Sequence, residues 1–304
     1  MIRYAVVIPA RNARAYVAEA VASARQQTVP PDEVVVVDDG STDDTAAVAQ
    51  AAGARVIAHP VSRGVSAARN RGIAAVAAPV VAFLDADDCW TPDHAMRCLA
   101  PFASGRPCVA FGRSVSFMTE EEVVWPRIPA GTLADPIGTL LVDNTVPQSS
   151  AVVTRDALLA VGGYDESLAL SEDYDLWCRL ADRCAFVHTG ATTTRRRVHP
   201  GQTTWSRAHE MRDAAWQVRA RAMARLAPDE RPRRHAALAA AMRLERAAVI
   251  RAGEAQGIVM LRDLAARMDD ALDTGDLLQR TVLGRGAAAL ALRVAVGRLL
   301  RMVR

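Results

Sequence analysis

The fold is decided by a run of four valines that ends in two carboxylates and a glycine turn, Val34-Val35-Val36-Val37-Asp38-Asp39-Gly40-Ser41. A β-branched run of this kind is typical of a strand in the middle of a parallel sheet. The residues after it favour a helix that begins near Thr42, with Ser41 as its cap. An aspartate at such a strand end can accept a hydrogen bond from a pyrimidine N–H or from ribose hydroxyls. The alternative is that Asp38 only closes the turn and Asp39 only faces water.

Strand and helix patterns alternate in the same way across the first hundred residues. Strands are predicted at Tyr4–Ile8, Val34–Val37, Arg55–Ala58 and Val80–Leu84, and helices at Ala13–Arg25, Thr42–Ala52 and Val65–Val76. This alternation predicts βαβ units, and hence an α/β fold with a Rossmann-like, mainly parallel sheet that has helices on both faces. Polar residues gather where the strands end, and open sheets of this class bind ligands in the crevice beyond those ends.

A second acidic stretch, Asp85-Ala86-Asp87-Asp88, directly follows the predicted strand Val80–Leu84. Three carboxylates so close together repel one another unless a cation or another partner lies between them. Hard oxygen ligands suit Mg²⁺ or Mn²⁺ that is held jointly with a diphosphate. Short acidic runs also open helices, and Thr91-Pro92-Asp93 has that character, so a plain helix start is the alternative.

The composition removes several classes of nucleotide enzyme. The 37 residues counted as lysine or arginine are all arginine. P-loop hydrolases, protein kinases and pyridoxal enzymes each depend on a lysine, so these classes are excluded. The Gly-x-Gly-x-x-Gly fingerprint of dinucleotide oxidoreductases does not follow the first predicted strand. Nucleic acid is a poor partner, because the arginine stretches lack interleaved aromatic residues and any reader motif.

The cysteines and the N-terminal residues bear on the compartment. The five cysteines are odd in number, form no Cys-x-x-Cys pair and lie in apolar or helical patterns. Buried reduced thiols are therefore expected, rather than a disulfide framework or a zinc site. The apolar stretch Tyr4–Pro9 is too short for the core of a signal peptide, and no apolar run is long enough for a spanning helix. These patterns predict a cytoplasmic protein.

The second half of the chain divides near residue 204, which gives a predicted catalytic domain at 1–204 and a helical extension at 205–304. A strand is expected near Val109–Ser116 in a loop-rich middle region. Acidic residues outnumber arginines before the boundary, and the reverse holds after it. The stretch Leu283–Arg304 predicts a basic amphipathic helix, which suits an anionic membrane surface on the inner face of the plasma membrane. The alternative is a helix that packs on the catalytic domain or on a second subunit, which leaves an oligomer open.

Several motifs together resemble glycosyltransferase family 2, in the family's order and at its usual intervals. They are Ile8-Pro9-Ala10-Arg11-Asn12, Asp38-Asp39-Gly40-Ser41-Thr42-Asp43, Gly64-Val65-Ser66-Ala67-Ala68-Arg69-Asn70-Arg71-Gly72 and Asp85-Ala86-Asp87-Asp88, followed by Gly162-Gly163-Tyr164-Asp165 and Ser171-Glu172-Asp173-Tyr174-Asp175-Leu176-Trp177. The resemblance covers about residues 4–200 and leaves the helical extension unexplained. It implies a GT-A fold, a nucleotide-sugar donor and inversion at the anomeric carbon. One departure is Ala10, where many members have a larger residue, and no implied role depends on it.

The resemblance also implies which residues hold the donor nucleotide. Pro9 and Asn12 would line the pocket for the base and the ribose. Asp39 would accept the N3–H of the base, with Arg71 beside it, and Asp85 would bind the ribose. A uridine or thymidine diphosphate sugar is therefore the implied donor, because both bases carry that N–H.

A further set of implied roles concerns the metal and the chemistry. Asp87 would bind the Mn²⁺ or Mg²⁺ that bridges the diphosphate. Asp173 would be the general base that deprotonates the acceptor hydroxyl, and Glu172 would help to orient it. His199 follows three arginines and would approach the metal or the diphosphate, with a solvated basic turn as the alternative. The other histidines show no ligand spacing and are predicted to be ordinary surface or core side chains: His59, His94, His188, His209 and His235.

These roles fit one chemical mechanism. The leaving diphosphate gains negative charge in the transition state, and a bound cation stabilises that charge. A carboxylate on the opposite face of the sugar can take the proton of the attacking hydroxyl, and a single displacement from that face inverts the anomeric centre. The Gln-x-x-Arg-Trp pattern of processive members is missing, since Gln202-Thr203-Thr204-Trp205 lacks the arginine. We therefore expect transfer of one sugar to a hydroxyl acceptor, in the synthesis of cell-surface polysaccharide or glycolipid.

Two other functions compete with this expectation. A pyrophosphorylase-like nucleotidyltransferase has a related sheet, but it uses a glycine-rich loop and lysines on the phosphates, and this chain has Pro9-Ala10-Arg11-Asn12 at that place. A catalytically inactive module that only binds sugar nucleotides is harder to separate by sequence. Asp173 is the residue that argues against it.

Overall fold

The computed structural model describes residues 2–119, 122–199 and 208–256. Its strands are β1 (Tyr4–Ala10), β2 (Glu33–Asp38), β3 (Arg55–Ala58), β4 (Val80–Phe83), β5 (Cys89–Trp90), β6 (Cys108–Phe117), β7 (Val124–Trp125), β8 (Gly131–Thr132), β9 (Val152–Thr154) and β10 (Ala185–Arg197). Its α-helices are α1 (Val17–Arg25), α2 (Thr45–Ala51), α3 (Val65–Ala75), α4 (His94–Leu99), α5 (Pro136–Val142), α6 (Arg155–Ala160), α7 (Glu172–Leu180), α8 (Ala208–Arg225) and α9 (Arg231–Gln256). Short 3₁₀ turns occupy Ala100–Ser104 and Gln148–Ser150.

The strands form one mixed sheet in the order β3-β2-β1-β4-β9-β6-β10-β5, with β7 paired to β6 and β8 paired to β10. The half that contains β3, β2, β1 and β4 is parallel throughout. Strand β9 joins β4 and β6 in antiparallel fashion, and β6 then pairs in parallel with β10. The predicted α/β class with a mixed, mainly parallel sheet is therefore confirmed.

Helices lie on both faces of the sheet, as the sequence predicts. Side chains alternate along β1, so that Val6 and Val7 point to opposite faces. Val6 shares a buried apolar cluster with Val17 and Val21 of α1. Val7 packs on the other face against α3, where Gly72 approaches so closely that a Cβ at that position would fall on the Val7 side chain. The central strand is thus covered twice, which explains its continuous apolar sequence.

The described residues fall into two compact units. The first unit holds the whole sheet and the helices α1 to α4, α6 and α7. The second contains residues 137–144, His199 and the helices α8 and α9. Within it, the buried Arg219 donates hydrogen bonds to the carbonyl oxygens of Leu141 (3.0 Å) and Val142 (3.1 Å). The boundary predicted near 204 and the basic stretch 283–304 lie outside the described residues.

Two local predictions differ from the structure. Helix α2 begins at Thr45, and Ser41 does not cap it, because its hydroxyl donates to Asp38 and accepts a hydrogen bond from the Asn12 N–H. The arginines 195–197 do not follow a strand but form the end of β10, where they continue its pairing with β6.

All five cysteines are buried and free, as expected, and burial raises the pKa of Cys184 to about 11. Among the described helices, none combines the length and the apolar character needed to cross a bilayer.

Candidate active site

The strands β2, β1 and β4 are neighbours and run in parallel, so their carboxyl ends meet at one edge of the sheet. The residues that follow these ends are Asp39 after β2, Asn12 after β1 and Asp85 after β4. The backbone N–H of Asp39 donates to the carbonyl oxygen of Ala10 at 2.8 Å, which joins the first two loops. The fold therefore brings together the two acidic stretches that the sequence singled out.

Asp39 is a buried carboxylate whose oxygens are already well occupied. Its Oδ1 accepts hydrogen bonds from His59 Nδ1 (2.8 Å) and from the Arg63 N–H (2.9 Å). Its Oδ2 accepts from the Ser62 hydroxyl (2.7 Å) and the Gly64 N–H (2.9 Å). Burial alone would raise the pKa of Asp39, but these hydrogen bonds outweigh it and hold the pKa below its usual value. A carboxylate offers about four acceptor positions, so a base N–H has to replace one of these donors.

Asn12 shapes the loop beside Asp39. Its backbone lies in the left-handed region, with φ of 50°, which asparagine tolerates better than most residues. Its Oδ1 accepts a hydrogen bond from the Thr42 N–H at 2.9 Å, and its own N–H donates to the Ser41 hydroxyl. These contacts hold the β1 and β2 loops together. Pro9 lies three residues earlier, inside β1, where it is buried and pairs in register with Val37.

The acidic turn 85–88 divides into partly exposed and buried carboxylates. Asp85 and Asp87 are partly exposed, whereas Asp88 is buried. Asp88 accepts hydrogen bonds from the Ser149 hydroxyl (2.6 Å) and from the Arg197 N–H (3.0 Å). Burial, together with the charges of Asp87 and Asp85, raises the pKa of Asp88 well above its ordinary value. Asp88 therefore anchors the turn, and Asp85 and Asp87 are the acids that a ligand can reach.

Arg197 closes the other side of this turn. Its Nε donates to the carbonyl oxygen of Asp87 at 3.0 Å, and its Nη2 lies 2.5 Å from Glu19 of α1. The guanidinium carbon lies 5.1 Å from the centre of the Tyr16 ring and 4.7 Å from the centre of the Phe117 ring. The end of β10 thus fixes the backbone of the acidic turn from behind.

Arg69 of α3 connects the acidic turn to the start of α7. Only 4% of its side chain is exposed. Its Nη2 donates to Asp85 Oδ1 at 2.8 Å and its Nη1 donates to Glu172 Oε1 at 2.6 Å. Burial alone would lower the pKa of the guanidinium, but the neighbouring carboxylates raise it, so the group is charged. Arg71 is exposed on the same helix, and its predicted place beside the base stays a prediction.

The helix α7 begins at the site with a strained residue and a run of acids. Ser171, just before it, has φ of 57° in the left-handed region. Glu172 and Asp173 follow in the first turn and are both partly exposed, whereas Asp175 is buried. Asp175 binds Arg179 Nε at 2.6 Å, and that arginine also donates to the carbonyl oxygens of Val161 and Gly163. Asp175 is therefore structural, which leaves Glu172 and Asp173 as the partly exposed acids at the helix start.

The turn at Gly162-Gly163-Tyr164 is tied to α3 through Asn70. Asn70 Nδ2 donates to the Tyr164 carbonyl oxygen (2.9 Å), and Asn70 Oδ1 accepts from the Tyr164 N–H (2.8 Å). Gly163 has φ of 70° and lies directly against Asn70, so a side chain there would be strained and would collide with the amide. Helix α3, with Gly64 just before it, therefore contacts Asp39, the acidic turn and the segment that leads into α7.

The donor set of this edge fits a hard divalent cation. Among the described residues, no group of three or more His, Cys, Asp or Glu side chains could hold a metal by itself. Mg²⁺ normally takes only one or two carboxylates from the protein and the remaining oxygens from phosphates and water. The partly exposed Asp87 suits that pattern as a single carboxylate. His199 belongs to the second unit, so its approach to a metal stays a prediction.

Sequence reasoning missed four residues that build this site. His59 was predicted to be ordinary, yet it bonds to Asp39, and Ser149 and Arg197 hold the acidic turn from distant parts of the chain. Arg69 stands inside the third motif, two positions before Arg71. The spacing of arginines along α3 could have favoured Arg69, because Gly72 shares its face and packs on β1.

Comparisons with known proteins agree with this geometry. The model of Glycosyl transferase family 2 matches residues 5–158, and that of Glycosyltransferase like family 2 matches residues 131–204. A Pre-mycofactocin glycosyltransferase of Mycobacterium tuberculosis is 32% identical over 133 residues, which span 42% of this chain and only 28% of that protein.

Solved structures share the fold. S. aureus TarS 1-349 superposes with a TM-score of 0.57 at 15% identity, over 100% of this chain and 92% of that one. The same protein in complex with UDP-GlcNAc gives a TM-score of 0.59 at 17% identity, over 92% and 90% of the two chains.

Proposed function

Since the chain belongs to glycosyl transferase family 2, we propose that it transfers one sugar from a uridine or thymidine diphosphate sugar to a hydroxyl acceptor, with inversion and with Mn²⁺ or Mg²⁺. The observation that carries this proposal is Arg69, which brings an acid of the donor side and an acid of the acceptor side onto one side chain. A module that only binds nucleotides has no need of the second acid. The S. aureus structure with UDP-GlcNAc favours uridine as the base.

Asp39 and the residues around it supply recognition of the nucleotide. Asp39 is buried and its pKa is held low, so it is an anion that can accept the N3–H of uracil or thymine. Of its four donors, two are backbone N–H groups and one is the buried His59. The fourth is the exposed Ser62, whose hydroxyl can rotate away to water. We propose that the base takes the position of the Ser62 hydroxyl, while Asn12 and Pro9 form the adjacent wall.

The acidic turn supplies the diphosphate end of the donor site. Asp85 would bind the ribose, and Asp87 would hold the cation, with Asp88 and Arg197 fixing the backbone of the turn. The cation stabilises the charge of the leaving diphosphate when it is bound. Arg71, exposed on α3, is free to meet the nucleotide from the solvent side.

Proton transfer falls to the first turn of α7. Asp173 is partly exposed there, whereas Glu172 is engaged by Arg69. As the acceptor oxygen attacks the anomeric carbon, its proton passes to Asp173 and the bond to the diphosphate oxygen breaks. A positioned general base contributes roughly 10²–10⁴-fold. Attack opposite to the leaving group gives inversion in a single step.

The place of action is also a proposal. The basic stretch 283–304 would bring the enzyme to the inner face of an anionic membrane, where a lipid-linked or polymeric acceptor of the cell envelope is assembled. The chain spans about a quarter of the length of its curated relative, so the acceptor is not taken from that protein.

A thermal-shift panel tests the proposal. UDP, dTDP, GDP and UDP-GlcNAc are added with and without Mn²⁺, because a bound ligand raises the melting temperature by mass action. We expect UDP or dTDP, but not GDP, to stabilise the protein, and Mn²⁺ to increase the shift for diphosphates. Asp39→Asn is the control that removes base recognition. A protein that no nucleotide stabilises would contradict the proposed function, and stabilisation by GDP alone would contradict the choice of base.

A further inference from the structure

Arg69 is a buried cation that joins two carboxylates from distant parts of the chain. Asp85 lies 16 residues and Glu172 lies 103 residues further along the sequence. Each carboxylate takes a different terminal nitrogen of the same guanidinium, so both must be present for the fork to be filled. With 4% of its surface exposed, the side chain is too enclosed to serve as a ligand for the donor.

The guanidinium also lies against an aromatic ring. Its carbon is 5.2 Å from the centre of the Tyr164 ring, and that ring meets Phe83 edge-on at 5.6 Å. The Tyr164 hydroxyl accepts a hydrogen bond from Gln148 Nε2 at 2.8 Å, which helps to hold the ring in place. Packing against Tyr164 therefore adds to the two carboxylates in holding Arg69.

We infer, on the basis of the function proposed above, that Arg69 is a positioning residue. It holds Glu172 in an ion pair, so that Asp173 is the group that takes the acceptor proton. The fork fixes Glu172 in one orientation and compensates its charge. It also holds Asp85 at the donor side of the same guanidinium. Arg69 thereby fixes the start of α7 relative to the acidic turn, without touching the reacting atoms.

The charges near the site show why such a residue is needed. Asp85, Asp87, Glu172 and Asp173 are all partly exposed acids that would face an anionic diphosphate. Of the two acids held by Arg69, Glu172 is the less exposed, with 13% of its side chain exposed against 32% for Asp85. Without the arginine, the Glu172 carboxylate would stand beside the next residue, Asp173, with no cation to compensate it, and neighbouring like charges repel. Glu172 would then compete for the position of the proton acceptor.

A positioning role for Arg69 predicts a specific pattern of rescue in a double-mutant cycle. The reaction followed is the hydrolysis of UDP-GlcNAc with Mn²⁺, in which water replaces the acceptor, its proton passes to the base and UDP leaves. Arg69→Gln should lower kcat about 100-fold and raise the donor KM, because both acids lose their partner. Adding Glu172→Gln should restore kcat at least tenfold but leave KM raised, since Asp85 is still unpaired. Arg69→Lys should give an intermediate loss, because one ammonium cannot fill both arms of the fork.

Two matched variants separate positioning from general damage. Arg55→Gln removes an exposed arginine that pairs with Glu33 where β2 and β3 begin, at the opposite ends of these strands from the site. Arg179→Gln removes an arginine that pairs with the buried, structural Asp175. We expect Arg55→Gln to keep the wild-type rate of hydrolysis, and Arg179→Gln to lose stability with no rescue by Glu172→Gln. Urea unfolding of all variants gives a readout besides activity. There, Arg69→Lys and Glu172→Gln should change the unfolding midpoint in a non-additive way.

The outcomes distinguish the failure of this inference from the failure of the proposed function. An active wild type in which the effects of Arg69→Gln and Glu172→Gln on kcat simply multiply would overturn the positioning role alone. A wild type that binds neither UDP nor dTDP would overturn the proposed function, and the inference with it. If Arg69→Gln does not fold, the cycle is run with Arg69→Lys, and the same two criteria apply.

Discussion

His59 Nδ1 lies 2.8 Å from Asp39 Oδ1, and both side chains are more than nine-tenths buried at the ends of the neighbouring strands β2 and β3. The imidazole donates to one oxygen of the acid, and the backbone of the following loop fills much of the rest. Asp39 is therefore held in one orientation without a nucleotide. At the proposed base site, nucleotide binding would be an exchange of hydrogen bonds at Asp39.

We first predict that the donors of Asp39 differ in their effect on nucleotide binding. Ser62→Ala frees an acceptor position on Oδ2, so UDP should bind at least as tightly as to the wild type. Asp39→Asn should weaken UDP at least tenfold, because the amide presents N–H groups where the base needs an acceptor. Calorimetry with UDP and Mn²⁺ measures both. Strong weakening by Ser62→Ala would show that the hydroxyl itself contacts the nucleotide.

The second prediction concerns the pH dependence of stability. The folded pKa of Asp39 lies below its ordinary value of about 3.9, so its ionised form stabilises the fold above that pH. This stabilisation is lost as the pH falls through the lowered folded pKa. Asp39→Asn should thus lower the free energy of unfolding by about 2–3 kcal/mol at pH 7, and the difference from wild type should narrow below about pH 4. Urea unfolding at several pH values measures it, with the exposed Asp44→Asn as the control. A difference that stays constant with pH would contradict the assignment.

The third prediction compares two adjacent glycines. Gly162 and Gly163 both have positive φ, but a Cβ on Gly162 meets nothing within 4 Å, whereas one on Gly163 collides with Asn70. Gly162→Ala should therefore cost about 1 kcal/mol of backbone strain. Gly163→Ala should cost about 1–3 kcal/mol more, because Asn70 has to give up its contacts with Tyr164. Equal losses in urea unfolding would mean that the Asn70 contact contributes nothing.

The fourth prediction separates the two acids with chemical roles. Asp173→Asn keeps the shape of the side chain but cannot take a proton, so turnover should fall by about 10²-fold while UDP and Mn²⁺ still bind. Asp87→Asn should weaken Mn²⁺-dependent donor binding as well, because a neutral amide is a poorer ligand for a hard cation. Titration followed by single-turnover assays tells the two apart. Near-normal turnover in Asp173→Asn would assign the base to another group, with Glu172 as the next candidate.

The fifth prediction concerns residues 283–304, which lie outside the described residues. Deleting them should leave hydrolysis of the donor intact but reduce sedimentation with anionic vesicles. Each basic residue near such a surface contributes about 1 kcal/mol, and the stretch carries no acid. Neutral vesicles are the control. Aggregation of the shortened chain would instead support a helix that packs on the protein.

The parallel half of the fold could be predicted from the sequence because its strands are short β-branched runs with acids at their ends. Asp39 and Asp85 came together as expected, since parallel neighbours end at the same edge. The sequence predicted the starts of helices less accurately. Ser41 has the composition of a cap, but its hydroxyl serves Asp38 instead, and α2 begins four residues later.

The support of the site could not be predicted, because it comes from residues far apart in the chain. Ser149 reaches Asp88 across 61 positions and Arg197 reaches it across 109. His59 has no neighbour in sequence that marks it as a partner of Asp39, and only the pairing of β2 with β3 places it there. Sequence patterns report local periodicity, whereas these contacts depend on strand order.

Helix α3 sets a limit on how this enzyme can be re-engineered. Within its eleven residues, Arg69 meets Asp85 and Glu172, and Asn70 meets the turn at Tyr164; Gly64, directly before the helix, meets Asp39. Deleting one residue from it would rotate every following side chain by about 100° and break the later contacts together. A chimera that takes its donor site from a relative therefore has to take the segment equivalent to residues 59–72 without interruption. It also has to take the relative's residue at position 172, because that residue pairs with position 69.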